Sequence, residues 1–265
     1  MALDVDDTIL DRSLVFSPRT RAAVRDVIDA GFMVTLSTGR MFQSALPYAR
    51  ELGIDLPLIC YQGALVKDPV SGEVLFHQPV PLEAARQVIQ IVRRWGLHIN
   101  AYVDDNLYVE RATPEAERYV RIARVSLHVV GDLLAFLKAP PTKLVVVSDE
   151  PTTDKVIGEL RAVFGETLYI TESLPMFCEI AHPRCNKGTA LEMLATHLGV
   201  AREEVVAIGD GLNDLEMVEW AGLGVAMGNA PLELKSAAGM VTRTVQEDGA
   251  AQALEEIFLG ARTPR

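Results

Sequence analysis

Cysteine is scarce in this chain: Cys60, Cys178 and Cys185 are the only three in 265 residues. An odd number with no Cys-x-x-Cys spacing argues against a disulfide framework or a thiolate zinc site, and predicts free thiols in a reducing compartment. Positive charge is short as well. Lys and Arg total 25 against 36 Asp and Glu, a formal net charge of −11. That balance argues against a nucleic-acid partner, because phosphate backbones reward clustered Lys and Arg. Long apolar runs are missing, none approaching the roughly 18 residues that span a bilayer. No membrane partner is therefore expected, and a cytoplasmic location is the default expectation. Internal repeats and low-complexity tracts are also absent. What is present is ample apolar content, 49% of the chain, enough for one large domain or two modest ones.

The first third alternates strand and helix signals. An apolar run over 1–5 is followed by Ser17-Pro18, a helix N-cap with Pro in the first turn, and Gly31 closes that helix. A strand over 32–36 leads into a helix over 41–52 that stops at Gly53, and 58–60 is a third strand. The last third resumes this rhythm with a helix over 187–198, a strand over 205–208, a strand over 223–226 and helices near 232–238 and 249–258. A βαβαβ order predicts a parallel sheet. Only three residues precede Asp4, so either the first strand is very short or native residues lie upstream of Met1.

Between these parts the texture changes. A helix over 82–95 precedes two β-type runs broken by Asp104-Asp105-Asn106, which reads as an antiparallel hairpin. Strands over 143–148, 167–173 and 176–180 with a helix over 153–164 follow. Mixed α+β inside an α/β frame predicts an inserted second domain at 80–182, with the first domain built from 1–79 and 183–265.

Four short segments at strand or helix ends carry the chemistry. Asp4 and Asp6 stand two apart at the end of an extended run, so both carboxylates are expected on one face, at the carboxyl end of a strand where α/β folds bind ligands. Such a pair suits a metal ligand and nucleophile beside a general acid and base. Against this stands an ordinary acidic turn. Thr38, Gly39 and Arg40 follow the second strand and offer a hydroxyl and exposed amides to phosphate oxygens; a plain helix cap is the bland alternative. Lys187 opens a helix against its dipole, a conflict that an anionic neighbour would offset. Gly209-Asp210-Gly211-Leu212-Asn213-Asp214 places two carboxylates and an amide after a buried strand, and its glycines are expected to let the backbone turn sharply. Hard oxygen ligands with room for water suit magnesium.

These segments, in this order, resemble the four motifs of the haloacid dehalogenase superfamily of phosphohydrolases. With Gly228-Asn229-Ala230 and Glu247-Asp248-Gly249 the whole chain is similar to its Cof-type branch, subfamily IIB. The resemblance implies an α/β, Rossmann-like three-layer core with a parallel sheet and an inserted α+β cap domain of the C2 type. It implies a Mg2+-dependent phosphatase working through an aspartyl-phosphate. Asp4 would be the nucleophile, Asp6 the general acid and base, and Thr38 with Lys187 would hold phosphate oxygens. Gly39, Arg40 and Asn213 complete the substrate-binding set, and Asp4, Asp6, Asp210 and Asp214 the metal set, with Asp6 contributing its main-chain carbonyl. The implied partner is a small phosphorylated metabolite, a sugar phosphate first, then a flavin, pyridoxal or nucleotide-type phosphate. Cap residues Asn100, Tyr102, Glu110, Lys143, Met176 and Cys178 are candidates for specificity, with packing the competing explanation. Two other readings are a phosphotransferase or phosphomutase acting on sugar phosphates, and a non-catalytic phosphate-binding regulator. This sequence departs from the family pattern at Asp7, where Gly is usual, and at Gln62, where Asn commonly precedes Gly-Ala.

Overall fold

The structure is a computed structural model that describes residues 1–123 and 125–260. The last five residues of the expected core segment 183–265 lie outside the described residues. The chain forms two compact units: Met1–Phe76 together with the chain from Asn186 onward, and His77–Cys185. Among the described residues, no helix is long and apolar enough to cross a membrane.

In chain order the first unit opens with β1 (Ala2–Leu3), α1 (Pro18–Asp29), β2 (Thr35–Leu36), α2 (Phe42–Leu52), β3 (Leu58–Cys60), β4 (Leu65–Lys67) and β5 (Val74–His77). The second holds α3 (Leu82–Arg94), β6 (His98–Val103), β7 (Asn106–Val109), α4 (Pro114–Ala123), β8 (Leu127–Val129), α5 (Leu133–Phe136), β9 (Lys143–Val147), α6 (Glu150–Phe164), β10 (Tyr169–Leu174) and β11 (Phe177–Ala181). The chain then returns with α7 (Lys187–Leu198), β12 (Val206–Gly209), α8 (Leu215–Trp220), β13 (Leu223–Ala226), α9 (Leu232–Ala237), β14 (Met240–Val241) and α10 (Gly249–Phe258).

The first unit is built on a five-stranded sheet ordered β14-β13-β12-β1-β2, and all four pairings are parallel. An isolated parallel bridge between Ser37 and Ile59 carries the order on towards β3. Successive side chains of a strand face opposite ways, and each face finds its helices. On one, Ala2, Ala207 and Ala226 pack with Leu191 and Leu194 of α7, Met217 and Val218 of α8 and Leu234 of α9. Helix α1 packs against α2 and α10, completing a three-layer α/β arrangement. Strand order runs one way from β1 to β2 and the other way from β12 to β14, so the topological switch lies between β1 and β12. In open α/β sheets that switch is where the crevice for ligands opens, at the carboxyl ends of the strands. The register Ala2–Ala207 and Leu3–Ile208 sets Asp4 opposite Gly209, the last residue of β12 and the one before Asp210, and Asp4 N–H extends the pairing to the Ile208 carbonyl at 2.9 Å.

The second unit is an α+β sandwich. Its sheet runs β10-β11-β9-β6-β7-β8, antiparallel except for β7 with β8. Ile99, Ala101, Leu144, Val146, Cys178 and Ile180 form one buried face with α3 and α6. The hairpin between β6 and β7 turns on Asp104 and Asp105 alone, both left-handed (φ 48° and 57°), the primed turn that matches strand twist; Asn106 belongs to the strand. Of the specificity candidates, Cys178 points into this core and is committed to packing. Lys143 pairs with Glu179 at 3.2 Å and lies over the Tyr102 ring. Glu110 pairs with Arg93, and Asn100 is buried with Oδ1 accepting from His98 Nε2 at 2.8 Å.

Candidate active site

Lys187 is fully buried at the first position of α7, whose N-cap Asn186 accepts the Thr189 N–H at 2.7 Å. Its ammonium donates to Asp4 Oδ1 at 2.5 Å and to Asp214 Oδ1 at 2.6 Å. The dipole conflict visible in the sequence is thus answered by two carboxylates. Asp214 is equally buried, and its second oxygen accepts the N–H groups of Asp210 and Gly211, both at 2.9 Å.

Asp210 sits half-buried beside this group. Thr8 donates to its Oδ1 at 3.1 Å and Asn229 to its Oδ2 at 3.1 Å. The flanking glycines act through space rather than through backbone angle, since neither Gly209 nor Gly211 has a positive φ. A Cβ on Gly209 would come within 2.5 Å of the Asp214 side chain, and one on Gly211 would collide with Asn213 Oδ1. Both positions make room for the neighbouring acid and amide.

Oxygens of Asp4, Asp210 and Asp214 all lie within 4.8 Å of one another. One ammonium faces three carboxylates, and the electrostatics record the imbalance. Burial, then Asp214, push the Asp4 carboxyl up to about 8, against the pull of Lys187. Burial and Asp214 also raise Asp210, to about 6. Burial opposes the charge on Lys187, yet Asp214 and Asp4 together raise it above its ordinary value. A cluster of hard oxygen donors with surplus negative charge fits a divalent cation such as magnesium. Both oxygens of Asp214 and both of Asp210 already accept from protein donors, but Asp210 is the least buried of the three acids, and the Lys187 bond to Asp4 engages only its Oδ1.

The two acids of the first segment diverge. Strand β1 ends at Leu3, so the alternation expected to align Asp4 with Asp6 stops before either. Asp4 turns inward to Lys187, whereas the Asp6 carboxylate is 49% exposed and is held by Arg40, Nε to Oδ2 at 2.8 Å and Nη2 to Oδ1 at 2.5 Å. Arg40 also stacks over the Tyr48 ring, 5.0 Å from its centre. The Asp6 side chain is outside the carboxylate cluster; only its main chain lies along the segment that carries Asp4. Asp7 is left-handed (φ 55°), a conformation that Gly takes freely and Asp tolerates.

Thr38 is fully buried after β2, with Oγ1 accepting the Arg40 N–H at 3.2 Å. Asn213 is exposed and donates from Nδ2 to Gln62 Oε1 at 2.9 Å. Sequence reading missed the hold that Thr8 and Asn229 have on Asp210. Their signal was membership in the first segment and in Gly228-Asn229-Ala230, with nothing in the residue types to say which atom they touch.

Residues 1–254 match the haloacid dehalogenase-like hydrolase family. The chain belongs to that family. It is a hydrolase of the phosphatase kind, and its likeness to known members runs end to end. A 5-amino-6-(5-phospho-D-ribitylamino)uracil phosphatase of Bacillus subtilis is 30% identical, covering 97% of each chain. A pyridoxal phosphate phosphatase of Escherichia coli is 30% identical over 95% of this chain and 96% of its own. Among solved structures, a haloacid dehalogenase-like hydrolase from Bacteroides thetaiotaomicron superposes with a TM-score of 0.91 at 30% identity, covering 97% of this chain and 98% of the other.

Proposed function

We propose that this family member is a magnesium-dependent phosphatase of small phosphorylated metabolites, with Asp4 as the nucleophile. The observation that carries the proposal is the buried Lys187 bridging Asp4 and Asp214 beside Asp210. Phosphoryl transfer asks a protein mainly for positioning and charge neutralisation, and this cluster supplies both.

In the proposed reaction an Asp4 carboxylate oxygen attacks phosphorus in line with the departing alkoxide, and a phosphoryl-aspartate forms as the P–O ester bond breaks. The alkoxide takes its proton from Asp6. Asp6 then accepts a proton from water as that water attacks phosphorus, releasing inorganic phosphate and restoring Asp4. Both Asp6 oxygens are engaged by Arg40, so the carboxyl has to leave the guanidinium before it meets a leaving group. Thr38 and Lys187 hold phosphoryl oxygens, the Gly39 and Arg40 segment frames them, and Asn213 orients the transferring group. Magnesium would be held by the Asp4 carboxylate, the Asp6 carbonyl and Asp210, with Asp214 fixing their loop, and when bound it neutralises charge on the phosphoryl group.

For the substrate, a monoester of a sugar or of a heterocyclic metabolite is the class we propose. The two relatives named above are phosphatases of heterocyclic phosphomonoesters, which supports including such compounds beside sugar phosphates in a screen. Hydrolysis of an aryl phosphate with and without magnesium, by wild type and Asp4→Asn, tests the core of the proposal. Magnesium-dependent turnover that disappears in the variant supports it, and turnover that survives in Asp4→Asn overturns it. Adding a sugar acceptor and looking for its phosphorylated product separates hydrolysis from transfer.

A further inference from the structure

We infer that Gln62 is a positioning residue for phosphoryl transfer, acting by holding the Asn213 amide in the orientation that meets the transferring group. The inference rests on the phosphatase reading above and adds a residue to which that reading gives no role.

Asn213 stands exposed on the loop after β12, where a short amide side chain would ordinarily sample several rotamers. Here one end is hydrogen-bonded and the other lies close against the neighbouring backbone. Nδ2 donates to Gln62 Oε1 at 2.9 Å, and Oδ1 lies over Gly211, in space that a Cβ there would fill. An amide nitrogen carries two hydrogens; Gln62 takes one and leaves the other for an anionic oxygen.

Gln62 can do this because it is itself held. Its side-chain nitrogen packs against Gly39, where a Cβ would come within 2.5 Å. Its backbone N–H donates to the Thr38 carbonyl at 3.1 Å, and the Tyr61 N–H donates to the Arg40 carbonyl at 2.9 Å. Tyr61 and Gln62 are both left-handed, at φ 53° and 58°. Non-glycine residues adopt that region rarely, and two in succession persist only where the surroundings enforce them, typically beside functional sites. Gly63 follows and abuts the Asn186 carbonyl, the cap of the helix that begins with Lys187. One turn therefore touches the loops that carry Thr38, Lys187 and Asn213, and the Gln62 side chain at its centre accepts from Asn213.

The test is a double-mutant cycle on the magnesium-loaded enzyme with an aryl phosphate. Gln62→Met keeps the length that packs on Gly39 and removes the acceptor. It is expected to lower kcat about fivefold to tenfold, the factor that one neutral hydrogen bond carries, with KM little changed and the thermal midpoint close to wild type. Asn213→Ala is expected to lower kcat at least as far, and the double variant no further than Asn213→Ala alone, because partners in one interaction are not additive. Additive losses, a wild-type kcat in Gln62→Met, or a loss confined to KM would overturn the role of Gln62. Side-chain 15N relaxation of Asn213 in the wild-type protein gives an answer that no folding failure can obscure. A rigid amide is expected, and a freely reorienting one refutes the inference. Asp4→Asn, run alongside, keeps the two readings apart: if it retains turnover, or if wild type has none, the phosphatase reading itself fails.

Discussion

Lys187 Nζ lies 2.5 Å from Asp4 Oδ1, and neither side chain is open to solvent. The same ammonium reaches Asp214 at 2.6 Å, so a single buried cation ties the end of β1 to the loop after β12. Removing one partner of such a set leaves charge buried without compensation, typically a loss of about 3–5 kcal/mol. Proton uptake by Asp4, already raised to about 8, softens that loss. Lys187→Met is accordingly expected to lower thermal stability, and to lower kcat by roughly a hundredfold or more, as removal of a charge-stabilising donor does. Calorimetry and turnover on an aryl phosphate check both. A variant within tenfold of wild-type kcat would remove Lys187 from the chemistry.

In the proposed site, a proton and a metal ion would compete for the same oxygens. The folded protein raises Asp4 to about 8 and Asp210 to about 6, so between about pH 4 and pH 8 it binds more protons than the unfolded chain does. Stability then falls as pH rises through that window, because the slope follows the excess of protons bound by the unfolded state, here negative. The favourable contribution is present while the carboxyls are protonated and is lost as pH rises past the folded values. Magnesium bound at these oxygens, as proposed, would take over the neutralisation. The increase in melting temperature on adding magnesium is thus expected to be small at pH 5.5 and to grow towards pH 8.5. Scanning fluorimetry across that range reads it directly, and a shift that shrinks with pH contradicts the assignment of these oxygens to a cation.

Much of this was legible because several signals agreed at one place. Ser17-Pro18 opens α1, Gly53 and Gly199 close α2 and α7 in left-handed conformation, and β13 spans the residues its apolar run marked. Lys187 announced itself as a conflict, a cation at a helix start. What escaped were elements too short to show a period, such as β4, β8, β14 and α5, where two to four residues cannot distinguish helix from strand. The parting of Asp4 and Asp6 escaped for a related reason, since period-two reasoning needs a strand and β1 ends one residue before Asp4. Gln62 was visible only as a departure from a familiar pattern. Its contact with Asn213 depends on two non-glycine residues with positive φ, which no propensity scale would place there.

Asp7 offers a test in the opposite direction, a substitution expected to help. Its φ of 55° costs an L-residue about 1–2 kcal/mol, less for Asp, and Gly takes the conformation freely at some expense in unfolded-state entropy. Asp7 also adds to the negative field that raises Asp210. Asp7→Gly is expected to raise the melting temperature by roughly 2–4 °C, the equivalent of about 1 kcal/mol in a chain of this size. It is also expected to move the onset of magnesium-dependent turnover to slightly lower pH. A destabilised variant would mean that the Asp7 side chain makes a contact worth more than the backbone relief.

Asn229 connects three segments: Nδ2 donates to the Asp7 carbonyl at 2.9 Å and to Asp210 Oδ2 at 3.1 Å, while Oδ1 accepts the Val245 N–H at 3.0 Å. If Asp210 is a magnesium ligand, Asn229 fixes which of its oxygens turns towards the ion. Loss of such an outer hydrogen bond commonly weakens metal affinity about tenfold to a hundredfold. Asn229→Ala is therefore expected to need that much more magnesium for half-maximal turnover, while kcat at saturating magnesium falls far less. The distinction matters because a merely structural role would lower stability and leave the magnesium requirement in place. Titrating activity against magnesium at fixed substrate, with the melting temperature of the metal-free protein alongside, separates the two. An unchanged half-saturation point would take Asn229, and with it the geometry proposed for Asp210, out of the metal site.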